Sequence, residues 1–140
     1  MDINSYNFED LVEGMEISIK REITYEKIKE FSEITGDFHP LHTNLEFARK
    51  KSFKNIIAHG MLISSFSSAL IGMKIAGKNM VLLSQNFNYL KPIYPNTIIK
   101  ISGTVKRKIQ SLGIAIVKIT ITNEDAVEVS NGEIKLKMTN

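Results

Sequence analysis

The sequence predicts an α+β fold in which an antiparallel sheet curls around one buried helix. Two observations carry this. The segment from Gly60 to Ile75 is apolar on nearly every side, through Met61, Leu62, Ile63, Phe66, Ala69, Leu70, Ile71, Met73 and Ile75, and a helix of that kind must be surrounded. After Gly77 the chain alternates apolar and polar residues three times over. Ile99, Ile101 and Val105 alternate with Lys100, Ser102, Thr104 and Lys106; Ala115, Val117, Ile119 and Ile121 with Lys118, Thr120 and Thr122; Ile134, Leu136 and Met138 with Lys135 and Lys137. A period of two marks strands with one wet face, and helices followed by consecutive strands are the order of an α+β arrangement.

The elements follow in order. Residues 1–15 show no period and read as an irregular lead-in that turns at Gly14. Ile17, Ile19 and Ile23 alternate with polar residues and predict a short half-buried strand over 16–23. Thr24 caps a helix behind it: its hydroxyl accepts from early amides, Glu26 suits the positive end of the helix dipole, and Ile23 and Ile28 form a hydrophobic staple. Ile28, Phe31 and Ile34 fall on one predicted buried face. Gly36 ends the helix, since a residue without Cβ enters the left-handed conformation cheaply. A loop over 37–42 contains Pro40, which restricts His39 to extended backbone. Thr43 and Glu46 make a capping-box pattern for a short helix over 44–51. The buried helix then covers 60–75, with its serines and Gly72 small enough to admit a sheet closely. Val81–Leu90 is a strand, residues 91–96 with Pro92 and Pro95 a turn or edge, and Asn131-Gly132 either a hairpin turn or a bulge within a long strand.

Composition excludes several classes. The 140 residues are expected to form one domain, residues 1–140, with 43% hydrophobic and 24% charged residues, an ordinary globular balance. The absence of cysteine removes disulfides, thiolate nucleophiles and cysteine-based zinc sites. The acidic, polar start MDINSYNFED lacks the basic and apolar regions of a secretory signal, so a cytoplasmic location is expected. The apolar run 56–75 carries His59, four serines and Lys74, which fits a core helix and not a membrane span. A net charge of +3 from 18 basic and 15 acidic residues is too small to argue for nucleic acid. Arg49, Lys50, Lys51 and Lys54 form one basic cluster and Lys106, Arg107 and Lys108 another; both read as solvated faces, open to a phosphate-bearing small molecule.

The residues that carry chemistry are Asp37 and His42. They flank Pro40 in a short, stiff loop that leaves a helix C-terminus, so one carboxylate and one imidazole can converge on a single water. General acid–base work of this kind contributes roughly 10²–10⁴-fold in rate. The spacing alone fits equally a turn-capping aspartate and a partly buried structural histidine. His59 reads as structural, its ring hydrogen-bonded near the helix start. Metal is not expected, because His39 and His42 lie three apart in a proline-containing loop and not on a regular helix.

Three blocks narrow the choice: ITGDFHPLH at 34–42, AHGMLISSFSSALIG at 58–72 and LSQNFNYLKPIYPNTI at 83–98. Together they resemble the MaoC-like hot dog dehydratases, most closely the single-domain (R)-specific enoyl-CoA hydratases, over residues 11 to 138. The resemblance implies a hot dog fold, a long central helix wrapped by an antiparallel sheet, and homodimers whose sheets join. It implies reversible syn hydration of a trans-2-enoyl thioester with no cofactor and no metal, an acyl-CoA as substrate, Asp37 and His42 as catalytic pair, the Gly60 amide as donor to the thioester oxygen, and Ser68 as support for the catalytic loop. His39 departs from the pattern, standing where asparagine is common and where it would touch substrate positioning. Ala76 replaces a frequent proline. The same fold also hosts acyl-CoA thioesterases and non-catalytic acyl-thioester binding modules, and the residues leave CoA and acyl carrier protein open as carriers.

Overall fold

The computed structural model describes residues 2–3 and 6–139. Five antiparallel strands form one sheet: β1 (Glu16–Ile23), β2 (Met80–Tyr89), β3 (Thr97–Ile109), β4 (Ile114–Thr122) and β5 (Glu128–Met138), in the order β1-β3-β4-β5-β2. The helical segments are α1 (Tyr25–Thr35), α2 (Pro40–Thr43), α3 (Leu45–Lys50) and α4 (Gly60–Ala69). Burial alternates along β3 and β4 as the period-two pattern requires. Ile99, Ile101, Val105, Val117, Ile119, Ile121, Ile134 and Leu136 face inward and are fully or almost fully buried. Leu62, Ile63, Leu70, Ile71 and Ile75 join them in one apolar cluster with Ile23 and Ile28. This is the hot dog arrangement, a sheet folded over its central helix. No helix among the described residues is long and apolar enough to cross a membrane.

Several elements differ from the sequence expectation for identifiable reasons. Ile34 is 83% exposed, and Ser32 is fully buried in its place; the buried face of α1 is Ile28 and Ser32, one helical turn apart, because the face is set by what α1 meets. Thr43 does not cap α3. Asn44 does, its Oδ1 accepting from the Phe47 amide at 2.9 Å, while Thr43 closes the single turn of α2 inside the supposed loop.

The central helix is regular only to Ala69 and continues as a wider π-helical turn over Leu70–Ile75. Its outer side is open, with Met61 72% exposed. The close approach between helix and sheet is made from the sheet side. A Cβ on Gly103 would meet Ile75 Cδ1 at 2.8 Å and Leu70 Cδ2 at 3.0 Å, whereas Gly72 has nothing near it. Asn131-Gly132 is neither hairpin nor bulge: Gly132 lies within β5 in regular register with Phe87 of β2 and Ile119 of β4. A side chain there would run into the Asn86 carbonyl oxygen and the Phe87 ring.

The basic clusters are solvated faces with local partners. Lys50 pairs with Glu46 at 2.8 Å and Lys106 with Glu133 at 3.0 Å. Lys54 lies over the Tyr94 ring at 4.6 Å and Lys108 over Phe8 at 4.4 Å.

Candidate active site

The site begins where α1 ends. Gly36 adopts the left-handed conformation, φ 78°, and its amide closes on the Ser32 carbonyl at 2.8 Å. The next amide, of Asp37, donates to Thr35 Oγ1 at 3.2 Å. Asp37 Oδ1 then accepts from the His39 amide at 3.1 Å, an Asx turn that fixes the carboxylate and leaves Oδ2 outward. His39 caps α2, its Nδ1 accepting from the Leu41 amide at 3.2 Å. Pro40 opens that turn, where its fixed φ and missing N–H cost nothing.

One extended residue joins this loop to the central helix. The Ile57 amide donates to the Leu41 carbonyl at 2.9 Å, and the Ile57 carbonyl lies 2.7 Å from His42 Nδ1. A carbonyl only accepts, so His42 carries its hydrogen on Nδ1 and, when neutral, a lone pair on Nε2. That Nε2 stands 4.0 Å from Asp37 Oδ2. The gap is too long for a direct hydrogen bond, but a water oxygen ~2.8 Å from each atom fits between them. The Asp37 carboxyl is held below the ordinary carboxylate range, first by the hydrogen bond from the His39 amide; burial opposes this, and the His42, His59 and His39 imidazoles each add a smaller downward effect. Asp37 is therefore an anion near neutral pH. Both groups then face the gap as acceptors, so a water there donates its two hydrogens and turns its lone pairs away from them.

Behind the pair lies His59, 3% exposed. Its Nε2 is 3.1 Å from both the Asp37 carbonyl oxygen and Ser32 Oγ. Its ring stacks on His42 with centroids 3.8 Å apart and planes at 26°. Asp37, His42 and His59 offer ligand atoms within 4.8 Å of one another. Of these, His59 Nε2 is already engaged by the Asp37 carbonyl oxygen and Ser32 Oγ.

Gly60 starts α4, with His59 at its N-cap, so its amide precedes the first intrahelical bond, from Ile63 N–H to the His59 carbonyl. A Cβ on Gly60 would stand 3.0–3.2 Å from the Tyr89 ring, and the Tyr89 hydroxyl is tied to Ser64 Oγ at 2.9 Å. Glycine is the residue that this packing admits without displacement. Gly60 and Tyr89 line a cavity of about 280 Å³ with Ile63 and Ile93. His42 lines another of about 270 Å³ with Phe38, Ser32 and Tyr25.

Of the residues expected from sequence, Asp37, His42 and His39 fall together in one loop. Gly60 lies next to His59, which bonds that loop. Ser68 does not reach it: it is exposed and its side chain makes no hydrogen bond among the described residues. The serine that meets the loop's anchor is Ser32, missed although it sits four residues after Ile28, one turn along the buried face. The Ile57 carbonyl was missed because a backbone atom leaves no mark on the sequence.

The named relatives of this chain are hydro-lyases of the MaoC-like class. The family description "MaoC like domain" matches residues 9–129, and the chain belongs to that family. Among its relatives, a 3-hydroxybutyryl-CoA dehydratase of Methylorubrum extorquens is 33% identical, covering 94% of this chain and 83% of that protein. An (R)-specific enoyl-CoA hydratase of Rhodospirillum rubrum is 30% identical over 86% of this chain and 80% of the relative. Among solved structures, the (R)-hydratase of A. caviae involved in PHA biosynthesis superposes with a TM-score of 0.88 at 25% identity, covering 92% of this chain and 98% of that one.

Proposed function

We propose that this chain is an (R)-specific enoyl-CoA hydratase, adding water reversibly and syn across a trans-2-enoyl-CoA to give the (R)-3-hydroxyacyl-CoA. The observation that carries the reading is the Asp37–His42 pair, 4.0 Å apart with His42 Nδ1 tied to the Ile57 carbonyl. Water held between two acceptors presents a lone pair to Cβ. As the new C–O bond forms, one acceptor takes a water proton and the π electrons shift toward Cα and the thioester oxygen. The pair delivers a proton to Cα on the same face, which restores both groups. In this reading the Gly60 amide donates to the thioester oxygen as negative charge develops there, the task of an oxyanion donor. His39 acts by holding the turn that presents His42.

The reading includes a second copy of the chain. β2 is an edge strand paired only with β5, and it exposes Val81, Leu82, Leu83 and Tyr89. Long apolar edges are normally covered, and a homodimer joined along β2 covers this one.

The test is turnover of crotonyl-CoA followed by loss of the conjugated enoyl absorbance. Wild type is expected to hydrate short enoyl-CoA, and Asp37→Asn and His42→Ala are expected to lose at least ~10²-fold in kcat. Full activity in either variant, or wild-type release of free CoA thiol in place of hydration, overturns the assignment.

A further inference from the structure

His59 does more than fill the core. Its Nε2 faces the Asp37 carbonyl oxygen, which only accepts, so His59 carries its hydrogen on Nε2. Nδ1 is then a lone pair. It is buried and has no hydrogen-bond partner among the described residues. Protonating it would create an unpaired buried N–H on a charged ring, at a cost that burial sets. The imidazole is accordingly held below its ordinary titration range, chiefly by burial; the Asp37 backbone bond opposes this and His42 reinforces it. The charged or titratable groups facing His59 are Asp37 and His42, both from the loop. α1 presents Ser32 and the Phe31 ring, tilted against His59 at 4.8 Å, and neither carries charge.

We propose that His59 is a positioning residue for the Asp37–His42 pair, an imidazole that fixes the Asp37 backbone with one atom and supports the His42 ring with its face. The inference rests on the hydratase reading of that pair. Two histidines stacked at 3.8 Å would repel if both were cations. With His59 neutral, a proton taken from water stays on His42, where it can be delivered to Cα. The two functions need an imidazole at this position. Phenylalanine keeps a stacking face and loses the donor to Asp37; glutamine keeps a donor and loses the face.

The experiment compares wild type, His59→Phe and His59→Gln in the crotonyl-CoA assay, alongside nitrogen-15 spectra of the histidine rings across pH. Both variants are expected to fold with wild-type far-UV circular dichroism and to lose ~10²-fold in kcat with a smaller change in KM, the scale of a misplaced reacting group. Their kcat pH profiles are expected to shift, because the ring beneath His42 has changed. In wild type the spectra are expected to show His59 as the neutral Nε2–H tautomer throughout the range in which His42 titrates. Wild-type kcat and pH profile in either folded variant, or a His59 ring that protonates together with His42, overturns the proposal. If the variants do not fold, the wild-type spectra decide it alone. Failure of the parent reading looks different: wild type itself then leaves crotonyl-CoA unchanged, while the His59 tautomer is still read directly.

Discussion

Gly132→Ala tests the architecture at the point where the sheet holds the candidate site. Gly132 sits inside β5, opposite Phe87 on one side and Ile119 on the other. A Cβ there would overlap the Asn86 carbonyl oxygen and stand 2.8 Å from Phe87 Cδ1. The ring can rotate away, but the carbonyl belongs to the β2 ladder and can retreat only if that strand moves. Overpacking against movable side chains costs about 1–3 kcal/mol, and the smaller unfolded-state entropy of alanine returns roughly 0.4–1 kcal/mol. A backbone collision lies at the upper end, so a net loss of about 2–2.6 kcal/mol is expected. With an unfolding entropy of ~2.1 cal/mol/K per residue, the whole chain has ~0.29 kcal/mol/K, and the loss lowers Tm by roughly 7–9 °C. Gly103→Ala is the internal control: its Cβ would meet only side-chain ends, those of Ile75, Leu70 and Val117, and should cost less. Differential scanning calorimetry measures both. A Gly132→Ala protein melting within about 2 °C of wild type, or below it by less than Gly103→Ala, refutes the reasoning. The displacement should also reach the site, since Tyr89, two residues beyond Phe87, packs against Gly60.

Two further outcomes are expected. His59 resists protonation in the folded chain but takes a proton near ~6.5 when unfolded, so below that pH the unfolded state binds more protons and stability falls with pH; urea titrations of His59→Gln should show a shallower decline between about pH 6.5 and pH 5 than wild type. Asp37, also with a depressed folded pKa, contributes with the same sign at lower pH: its stabilisation is complete above ~3.9 and is lost as pH falls through its lower folded value. Leu83→Glu places a charge on the exposed edge strand and should convert the proposed dimer to monomer in sedimentation velocity; a dimer that persists unchanged places the interface elsewhere.

Much of this fold could be read before the structure. The strands announced themselves because each buries one face, which forces alternation at Ile99, Ile101, Val117, Ile119, Ile134 and Leu136. Thr24 and Gly36 were legible because helix ends are local problems with few chemical answers, and both do what their residue types suggest: Thr24 Oγ1 accepts from Lys27 at 3.1 Å and Gly36 turns left-handed. What failed was tertiary. Ile34 has the right spacing for a buried face, but nothing packs over it. Gly72 and Gly103 are equally small, and only three-dimensional contact shows that the sheet glycine makes the close approach. Thr43 and Asn44 are both good caps one residue apart, and the chain chose between them through the turn that Pro40 starts. In the site, Asp37 and His42 were visible as side chains, whereas the tautomer of His42 is set by a main-chain oxygen.

That oxygen has an evolutionary consequence. Ile57 clamps the loop through its amide and orients His42 through its carbonyl, and every amino acid except proline supplies both atoms. The choice of which His42 nitrogen faces the gap is thus written in a part of the polymer that point mutation almost never deletes. Position 57 can vary in size and polarity as its half-buried surroundings allow, while the two backbone atoms that grip Leu41 and orient His42 stay in place. Proline alone is barred, since it would remove the N–H that grips Leu41.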